Sequence, residues 1–205
     1  MHAARHRTPS NDIASAILDA AASLLTEGGP SALTVRRISE VASVAPMSVY
    51  NHFGDKAGVI DHLYQRGFLK LGRAFESSAS LENSWDALRS SWRSYGGFAL
   101  ENEAELSIMF QQAIVGFTPT EPTRTAAAEA FDSFVQVIRR CMEDGSLDGD
   151  DPVERAQQIW AAIHGYVLLE RNGWGLVGAD QGAEGFERYL DLLGLGLTPR
   201  SSLLE

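Results

Sequence analysis

The stretch from Thr34 to Lys56, TVRRISEVASVAPMSVYNHFGDK, most constrains how this chain of 205 residues can fold. Thr34 is a residue type that caps helix N-termini, and the apolar positions after it have the spacing of a helix that buries one face. Residues 43–45 form the predicted turn, and Pro46 follows in the first turn of a second helix, where proline is best tolerated. The sequence therefore predicts two short helices joined by a tight turn. The apolar positions of the first helix are Val35, Ile38, Val41 and Ala42.

The second helix, predicted from Pro46 to Phe53, has one apolar face and one polar face. Val49 and Phe53 are four positions apart, so both can anchor the same face of the helix in the core. Two helices joined in this way form a helix-turn-helix unit, whose second helix enters the DNA major groove. A pattern this short is equally typical of an ordinary helical hairpin, so by itself it leaves both interpretations open. The outward positions are Pro46, Met47, Ser48 and Asn51, flanked by Tyr50 and His52.

The N-terminal block as a whole resembles the tetracycline-repressor (TetR) family of regulators. The resemblance covers residues 11–62 without gaps. It departs from the family pattern at Ser43, where glycine is usual, and at Ala45, where serine or threonine is usual. The matching positions are Ile17-Leu18-Asp19-Ala20-Ala21, Leu24, Gly28-Gly29, Leu33-Thr34-Val35-Arg36, Ile38, Val41-Ala42, Val44, Ser48-Val49-Tyr50-Asn51-His52-Phe53, Asp55-Lys56 and Ile60.

The resemblance implies an all-α homodimer with a three-helix DNA-binding domain over residues 1–57 and a larger helical domain over residues 58–205 for ligand binding and dimerisation. It also implies that two reading helices contact a palindromic operator in double-stranded DNA. Residues implied to hold phosphates are Thr34, Tyr50, His52 and Lys56. Those implied to approach base edges are Met47, Ser48 and Asn51, with Pro46 beside them and with Arg36 or Arg37 as a long-reach base or phosphate contact.

The rest of the chain shows the period of helices throughout, and no segment alternates like a strand. Residues 77–80 are predicted to be a flexible linker, but the domain boundary is placed nearer Gly58 because the helix before the linker belongs to both halves. The last two helices, predicted over 152–170 and 183–195, have apolar residues on more than one side. We expect them to pack against a second copy of the chain. The apolar residues that lie on more than one side of these two helices include Leu168, Leu169, Tyr189, Leu190, Leu192 and Leu193.

Aromatic side chains recur along the predicted body helices and have two interpretations. The simpler one is that they fill the core; the other is that several of them line a cavity for a small, apolar or aromatic effector. His164 is either a hydrogen-bonded core histidine or a polar contact in that cavity. The segment Trp160 to Gly165 resembles the Trp-x-x-x-His-Gly signature of one C-terminal subgroup of the TetR family. The candidate lining residues are Trp92, Tyr95, Met109, Phe110, Phe117, Phe131, Phe134, Trp160 and His164.

The charge distribution argues for a local DNA contact. The chain has a formal net charge of −10, yet residues 1–56 hold five basic and five acidic side chains. A neutral N-terminal part followed by an acidic remainder fits a protein that meets phosphates at one end only. The chain shows no signal-peptide pattern and no apolar run that could span a bilayer, so we expect a cytoplasmic protein without a membrane partner.

No combination of residues predicts a catalytic site, a metal site or a bound cofactor. Residues 173–178 match Gly-x-Gly-x-x-Gly, but dinucleotide binding requires a preceding strand, and here a helix precedes the motif. Apart from His2 and His6 near the N-terminus, no two histidines have metal-ligand spacing, and no nucleophile, base and orienting group stand together. The absence of a catalytic set of residues argues against an enzyme, and the resemblance to the TetR family implies a ligand-responsive transcriptional repressor. The alternative is a helical enzyme or small-molecule-binding protein that does not recognise DNA specifically.

Overall fold

The computed structural model of the protein describes residues 10–110, 114–174 and 182–198. Within these ranges the chain forms nine α-helices, one short 3-10 turn at Pro30–Ala32 and no strand, which confirms the all-α prediction. Residues 175–178 of the Gly-x-Gly-x-x-Gly match lie outside the described residues. The helices are α1 (Ser10–Gly28), α2 (Val35–Val41), α3 (Pro46–Phe53), α4 (Lys56–Ala79), α5 (Ser84–Glu101), α6 (Glu103–Phe110), α7 (Glu121–Glu143), α8 (Pro152–Arg171) and α9 (Gly182–Leu197).

The chain divides into two compact units. The first, called the head here, comprises residues 1–68 and 102–127; the second, called the body, comprises residues 69–101 and 128–205. Helices α4 and α7 therefore each begin in the head and end in the body. The functional boundary between residues 57 and 58 stays a prediction.

The head is built around an apolar core to which α1, α2, α3 and α4 all contribute. Two residues of α6, Ala104 and Ile108, belong to the same cluster. Each fully buried aliphatic side chain stabilises the folded state by roughly 1.5–3 kcal/mol. The fully buried members include Ile17, Leu33, Ile38, Val49, Val59 and Leu63.

Local sequence signals set the helix starts in the way that the pattern predicts. The side chain of Thr34 accepts a hydrogen bond from the backbone N–H of Arg37 at 3.2 Å and so caps α2. Asp55 Oδ1 accepts from the N–H of Gly58 at 2.9 Å at the start of α4. Pro46 is at the first position of α3. These bonds satisfy N–H groups that have no partner inside the helix.

Three details differ from the sequence-based predictions. Val41 is 52% exposed, because α2 is only seven residues long and its buried side is completed by Ile38 instead. The predicted linker at residues 77–80 is mostly the last turn of α4; Ser78 there is buried and donates its hydroxyl to the carbonyl of Ala74. Leu190, predicted to face a second chain, is fully buried inside the body.

The body has its own core, formed by one face each of α5, α7, α8 and α9 together with the end of α4. Cys141 is buried there, and its Sγ donates to the carbonyl of Ser84 at 3.1 Å. None of the helices in the described ranges is both long and apolar enough to cross a membrane. The largest fully buried side chains of the body are Trp92, Tyr95, Leu88, Ile138, Ile159, Ile163 and Leu190.

Candidate nucleic-acid interface

The turn between α2 and α3 is closed by a left-handed residue. Ser43 has φ 55°, the only positive φ at a non-glycine residue among the described residues. The N–H of Val44 then donates to the carbonyl of Ser39 at 3.0 Å, which ends α2 and redirects the chain. This conformation costs an L-residue about 1–2 kcal/mol relative to glycine, which gives a physical reason for a glycine preference at this position.

Helix α3 turns its predicted reading face to solvent. Val49 is fully buried and Phe53 is 9% exposed, so these two side chains fix the helix on the head core. On the opposite side Met47 is 63% exposed, Tyr50 is 49% exposed and Asn51 is exposed. Exposed large apolar and amide side chains on one short helix suit contact with a thymine methyl group and with the edge of adenine.

The N-terminus of α3 has no side-chain cap. Ala45 is the capping residue and makes no side-chain hydrogen bond, and Pro46 follows it without an N–H group. The N–H of Ser48 donates to the carbonyl of Ala45 at 2.8 Å. The positive end of the helix dipole is therefore not neutralised by a capping side chain, which favours an approaching phosphate.

The cationic and hydroxyl groups of the predicted interface differ in how they are held. Arg36 is exposed and its Nε is paired with Glu40 Oε1 at 2.8 Å. Arg37 is exposed, and Lys56 is half-buried with its Nζ 3.5 Å from the carbonyl oxygen of Pro30. The hydroxyl of Thr34 accepts the capping bond and keeps its own proton available for a phosphate oxygen. Ser48 and His52 are half-buried beside the exposed face of α3.

Four of the nine candidate effector residues form one connected cluster in the body. The hydroxyl of Tyr95 in α5 is hydrogen bonded to Nδ1 of His164 in α8. The His164 ring lies 5.5 Å from that of Trp160, and Trp160 lies 6.4 Å from the ring of Phe131 in α7. Burial raises the pKa of Tyr95 and lowers the pKa of His164, so both groups are neutral at pH 7.

The other five candidates pack elsewhere. Trp92 lies edge-on to Trp85 at 6.0 Å, and Phe134 is stacked on Phe75 at 5.2 Å. Three belong to the head: Met109 packs on Gly67, Phe110 on Phe68 and Phe117 on Tyr64. The nine residues are thus distributed over both compact units, and their assignment to an effector cavity stays a prediction.

The body contains a cavity of about 430 Å³ that the sequence-based reasoning missed. Gly96 and Gly97 of α5 form part of its wall; a methyl group at Gly96 would lie 2.5 Å from the ring of Phe186, whereas one at Gly97 would meet nothing within 4 Å. A glycine pair within a helix was the available sequence signal. The wall is mainly apolar, and Arg93 and Glu187 form an ion pair at its edge. The other lining residues are Leu100, Tyr166, Val167, Glu170, Arg171, Gly182 and Ala183.

The outer side of α8 and α9 carries a second concavity, of about 550 Å³, next to exposed leucines. Leu169 is 41% exposed and Leu192 is 68% exposed, and both line this concavity. Small residues at Ala161, Ala162 and Gly165 give it depth. Among the described residues, no group of three or more His, Cys, Asp or Glu side chains is placed to hold a metal ion.

Comparison with known proteins places both parts of the chain in one family. Residues 17–63 match the family model described as bacterial regulatory proteins, tetR family, and residues 88–193 match the tetracyclin repressor-like C-terminal domain. The HTH-type transcriptional repressor KstR2 of Rhodococcus jostii is 27% identical in an alignment 168 residues long, and the alignment covers 73% of this chain and 78% of that protein. The TetC protein of transposon Tn10 from Escherichia coli is 26% identical over 106 residues, which is 51% of this chain and 54% of that protein.

Solved structures share the fold. A protein of unknown function from Rhodococcus sp. RHA1 superposes with a TM-score of 0.78 at 23% identity, covering 97% of this chain and all of that one. PfmR, a TetR family transcriptional regulator from Thermus thermophilus, gives 0.71 at 22% identity, covering 89% and 99%. Regulators of this kind are non-enzymatic DNA-binding transcription factors. Because the C-terminal model alone matches more than half of the sequence and the helix-turn-helix model matches the head, the chain belongs to the TetR family of transcriptional regulators.

Proposed function

We propose that the protein is a homodimeric repressor that binds a palindromic operator and is released from it by a small, apolar or aromatic effector. The observation that carries the proposal is the two-sided α3, with Val49 and Phe53 in the core and Met47, Tyr50 and Asn51 in solvent. One similar protein, KstR2, is a transcriptional repressor, which supports repression rather than activation.

In the proposed complex the reading face of α3 lies in the major groove. Met47, Ser48 and Asn51 approach base edges, while Tyr50 and His52 at the flanks hold phosphates. Thr34 and Lys56 hold phosphates at the starts of α2 and α4, and Pro46 lies at the α3 N-terminus beside the backbone. Arg36 must exchange its Glu40 partner for DNA, whereas Arg37 has no such competitor among the described residues.

The second copy of the chain is proposed to dock on α8 and α9. Leu169, Leu192 and Leu195 are each more than 40% exposed there, an arrangement that a monomer surface rarely carries. Two-fold packing of these helices sets two reading helices about 34–36 Å apart, one turn of DNA. We also propose that Trp160, His164 and Gly165 are the signature residues of the C-terminal TetR subgroup that has the pattern Trp-x-x-x-His-Gly.

The effector is proposed to bind in the body. The aromatic cluster around Tyr95 and His164 and the 430 Å³ cavity beside Gly97 are both mainly apolar, and the cavity has the size of small-molecule sites. Binding there is proposed to stabilise a dimer whose heads no longer fit the operator, with α4 carrying the change because it runs through both units. Operator binding implies that the protein works in the cytoplasm.

The test is selection of DNA from a random duplex pool by the purified chain, followed by titration of the selected duplex at two salt concentrations. We expect an inverted repeat, an affinity that falls steeply with salt, and loss of binding in Tyr50→Ala. Gln136→Ala, a change at an exposed position of α7 outside both proposed interfaces, is the matched control and should bind like wild type. Recovery of no common sequence would contradict the proposal and favour a ligand-binding protein that does not recognise DNA specifically.

A further inference from the structure

The head is not completed by the first four helices alone. Residues 102–127 return to it from the middle of the chain, and Ala104 and Ile108 of α6 enter the same apolar cluster as Ile17 and Leu63. Met109 packs directly on the bare backbone of Gly67, where a side chain would collide with its sulfur. The structural order of the head therefore depends on residues 102–127, which lie far from the first four helices in sequence.

Polar contacts fix this segment at its α6 end. Arg66 of α4 pairs through Nη1 with Asp19 Oδ1 of α1 at 2.6 Å and through Nη2 with Glu105 Oε1 of α6 at 2.8 Å. Glu105 is only 3% exposed. One arginine thus joins three helices of the head, and a carboxylate withdrawn from water is compensated by a charge-assisted pair.

A second polar cluster fixes the same segment at its α7 end. Asp61 of α4 is 8% exposed and accepts three hydrogen bonds from two residues at the start of α7. Thr120 donates its N–H to Oδ1 at 2.9 Å and its hydroxyl to Oδ2 at 2.6 Å, and the fully buried Thr123 donates its hydroxyl to Oδ2 at 2.9 Å. Burial acts to raise the pKa of Asp61, but these hydrogen bonds and the nearby His62 outweigh it, so the pKa lies below its usual value.

The connections of this segment lead into the body at both ends. Helix α5, which precedes residue 102, is a body helix, and α7 passes from the head into the body after residue 127. A directional set of hydrogen bonds to one carboxylate is made together or lost together, unlike an apolar contact that can slide. The hydrogen bonds around Asp61 can therefore attach the start of α7 to α4, or release it, in a single step.

We propose that Asp61 is a positioning residue: by holding Thr120 and Thr123 it makes the structural order of the helix-turn-helix pair, α2 and α3, depend on the attachment of α7. This inference rests on the proposed function for its regulatory meaning, but not for its structural content. Asp61 is placed in none of the predicted DNA contacts. Its effect on operator binding acts through the attachment of α7 to α4.

The test uses full-length variants. Thr123→Val keeps the side-chain shape and removes one of the three hydrogen bonds, whereas Asp61→Asn removes the charge and is the more severe change. Thr125→Val is the matched control, since Thr125 is an exposed residue of the same helix and its side chain makes no hydrogen bond with any other described residue. All binding is measured at a temperature where unfolding curves show the variants to be folded.

The first measurement is amide hydrogen exchange without DNA. We expect exchange to accelerate at least twofold in Thr123→Val both in peptides from residues 114–127 and in peptides from residues 35–53, with no change in Thr125→Val. Faster exchange confined to residues 114–127 would overturn the proposal, because the segment would then be only a local tether. Unchanged exchange in both regions would overturn it as well.

The second measurement is the affinity for the duplex that wild type selects. Energetic coupling of this kind changes affinity by roughly twofold to thirtyfold. We expect Thr123→Val to weaken operator affinity by a factor in that range, and Asp61→Asn to weaken it by a larger factor than Thr123→Val. An affinity within twofold of wild type, despite faster exchange in residues 35–53, would overturn the role of Asp61 in operator binding. If wild type selects no duplex, the proposed function fails, and the exchange measurement alone still decides whether Asp61 couples α7 to α2 and α3.

Discussion

The hydroxyl of Tyr95 is hydrogen bonded to Nδ1 of His164, and the two residues join α5 to α8 inside the body. Tyr95 is 2% exposed, so a side chain without the hydroxyl removes this buried hydrogen bond and water does not replace it. Tyr95→Phe should therefore lower the free energy of unfolding by about 1 kcal/mol, measured by urea denaturation at pH 8. Tyr50→Phe, at an exposed position, should change it by less than about 0.5 kcal/mol. Equal effects of the two substitutions would contradict the importance assigned to the bond.

The same pair predicts a pH dependence of stability. Burial lowers the pKa of His164 below 6.5, so between 6.5 and that lower value the unfolded chain binds a proton that the folded chain does not. Stability contributed by neutral His164 is complete above pH 6.5 and is lost as the pH falls through this window. Unfolding curves at a series of pH values should show this loss in wild type and a smaller loss in His164→Gln. Parallel curves for the two proteins would contradict the prediction.

The α2–α3 turn predicts opposite effects at one position. Ser43 has φ 55°, which glycine adopts freely and β-branched residues do not. Ser43→Gly should leave the unfolding free energy equal or higher by up to about 1 kcal/mol, since relief of strain is partly offset by greater freedom of the unfolded chain. Ser43→Val should lower it by more than about 1 kcal/mol. Calorimetric melting of both variants checks the order, and a more stable Ser43→Val protein would contradict it.

The outer face of α8 and α9 predicts the site of self-association. Leu192 is 68% exposed, so Leu192→Lys should cost the monomer little but place a charge in the proposed dimer interface. Sedimentation velocity should show a shift from dimer to monomer with an unchanged helical circular dichroism spectrum. Leu81→Lys, at an exposed position just before α5, is the control and should stay dimeric. A dimer of undiminished affinity in Leu192→Lys would place the interface elsewhere.

The helix-turn-helix part of the fold could be predicted because its determinants are local. Thr34, Pro46 and Asp55 mark helix starts by their own chemistry, and Val49 and Phe53 define a face by their spacing alone. Val41 was wrongly predicted to be buried. Periodicity assigns a residue to one face of a helix, but it does not show whether neighbouring helices cover that face at the end of a short helix.

The body was harder to predict because its features depend on contacts distant in sequence. An aromatic residue at helical spacing has the same pattern in a core as in a cavity wall, so Trp92 and Phe134 could not be separated from Tyr95 and Trp160. The space beside Gly97 exists only once α5, α8 and α9 are placed together. Asp61 and Thr120 are 59 positions apart, and neither residue carries a local sign of the other.

The most direct test of the central claim, that α3 reads an operator, is the ratio of affinities for the selected duplex and for a random duplex of equal length at one salt concentration. Asn51→Ala should lower this ratio about tenfold or more, because a lost base contact weakens only specific binding. Arg37→Ala, if Arg37 contacts phosphate, should weaken binding to both duplexes by a similar factor and leave the ratio nearly unchanged. A ratio in Asn51→Ala equal to that of wild type would contradict the assignment of α3 as the reading helix.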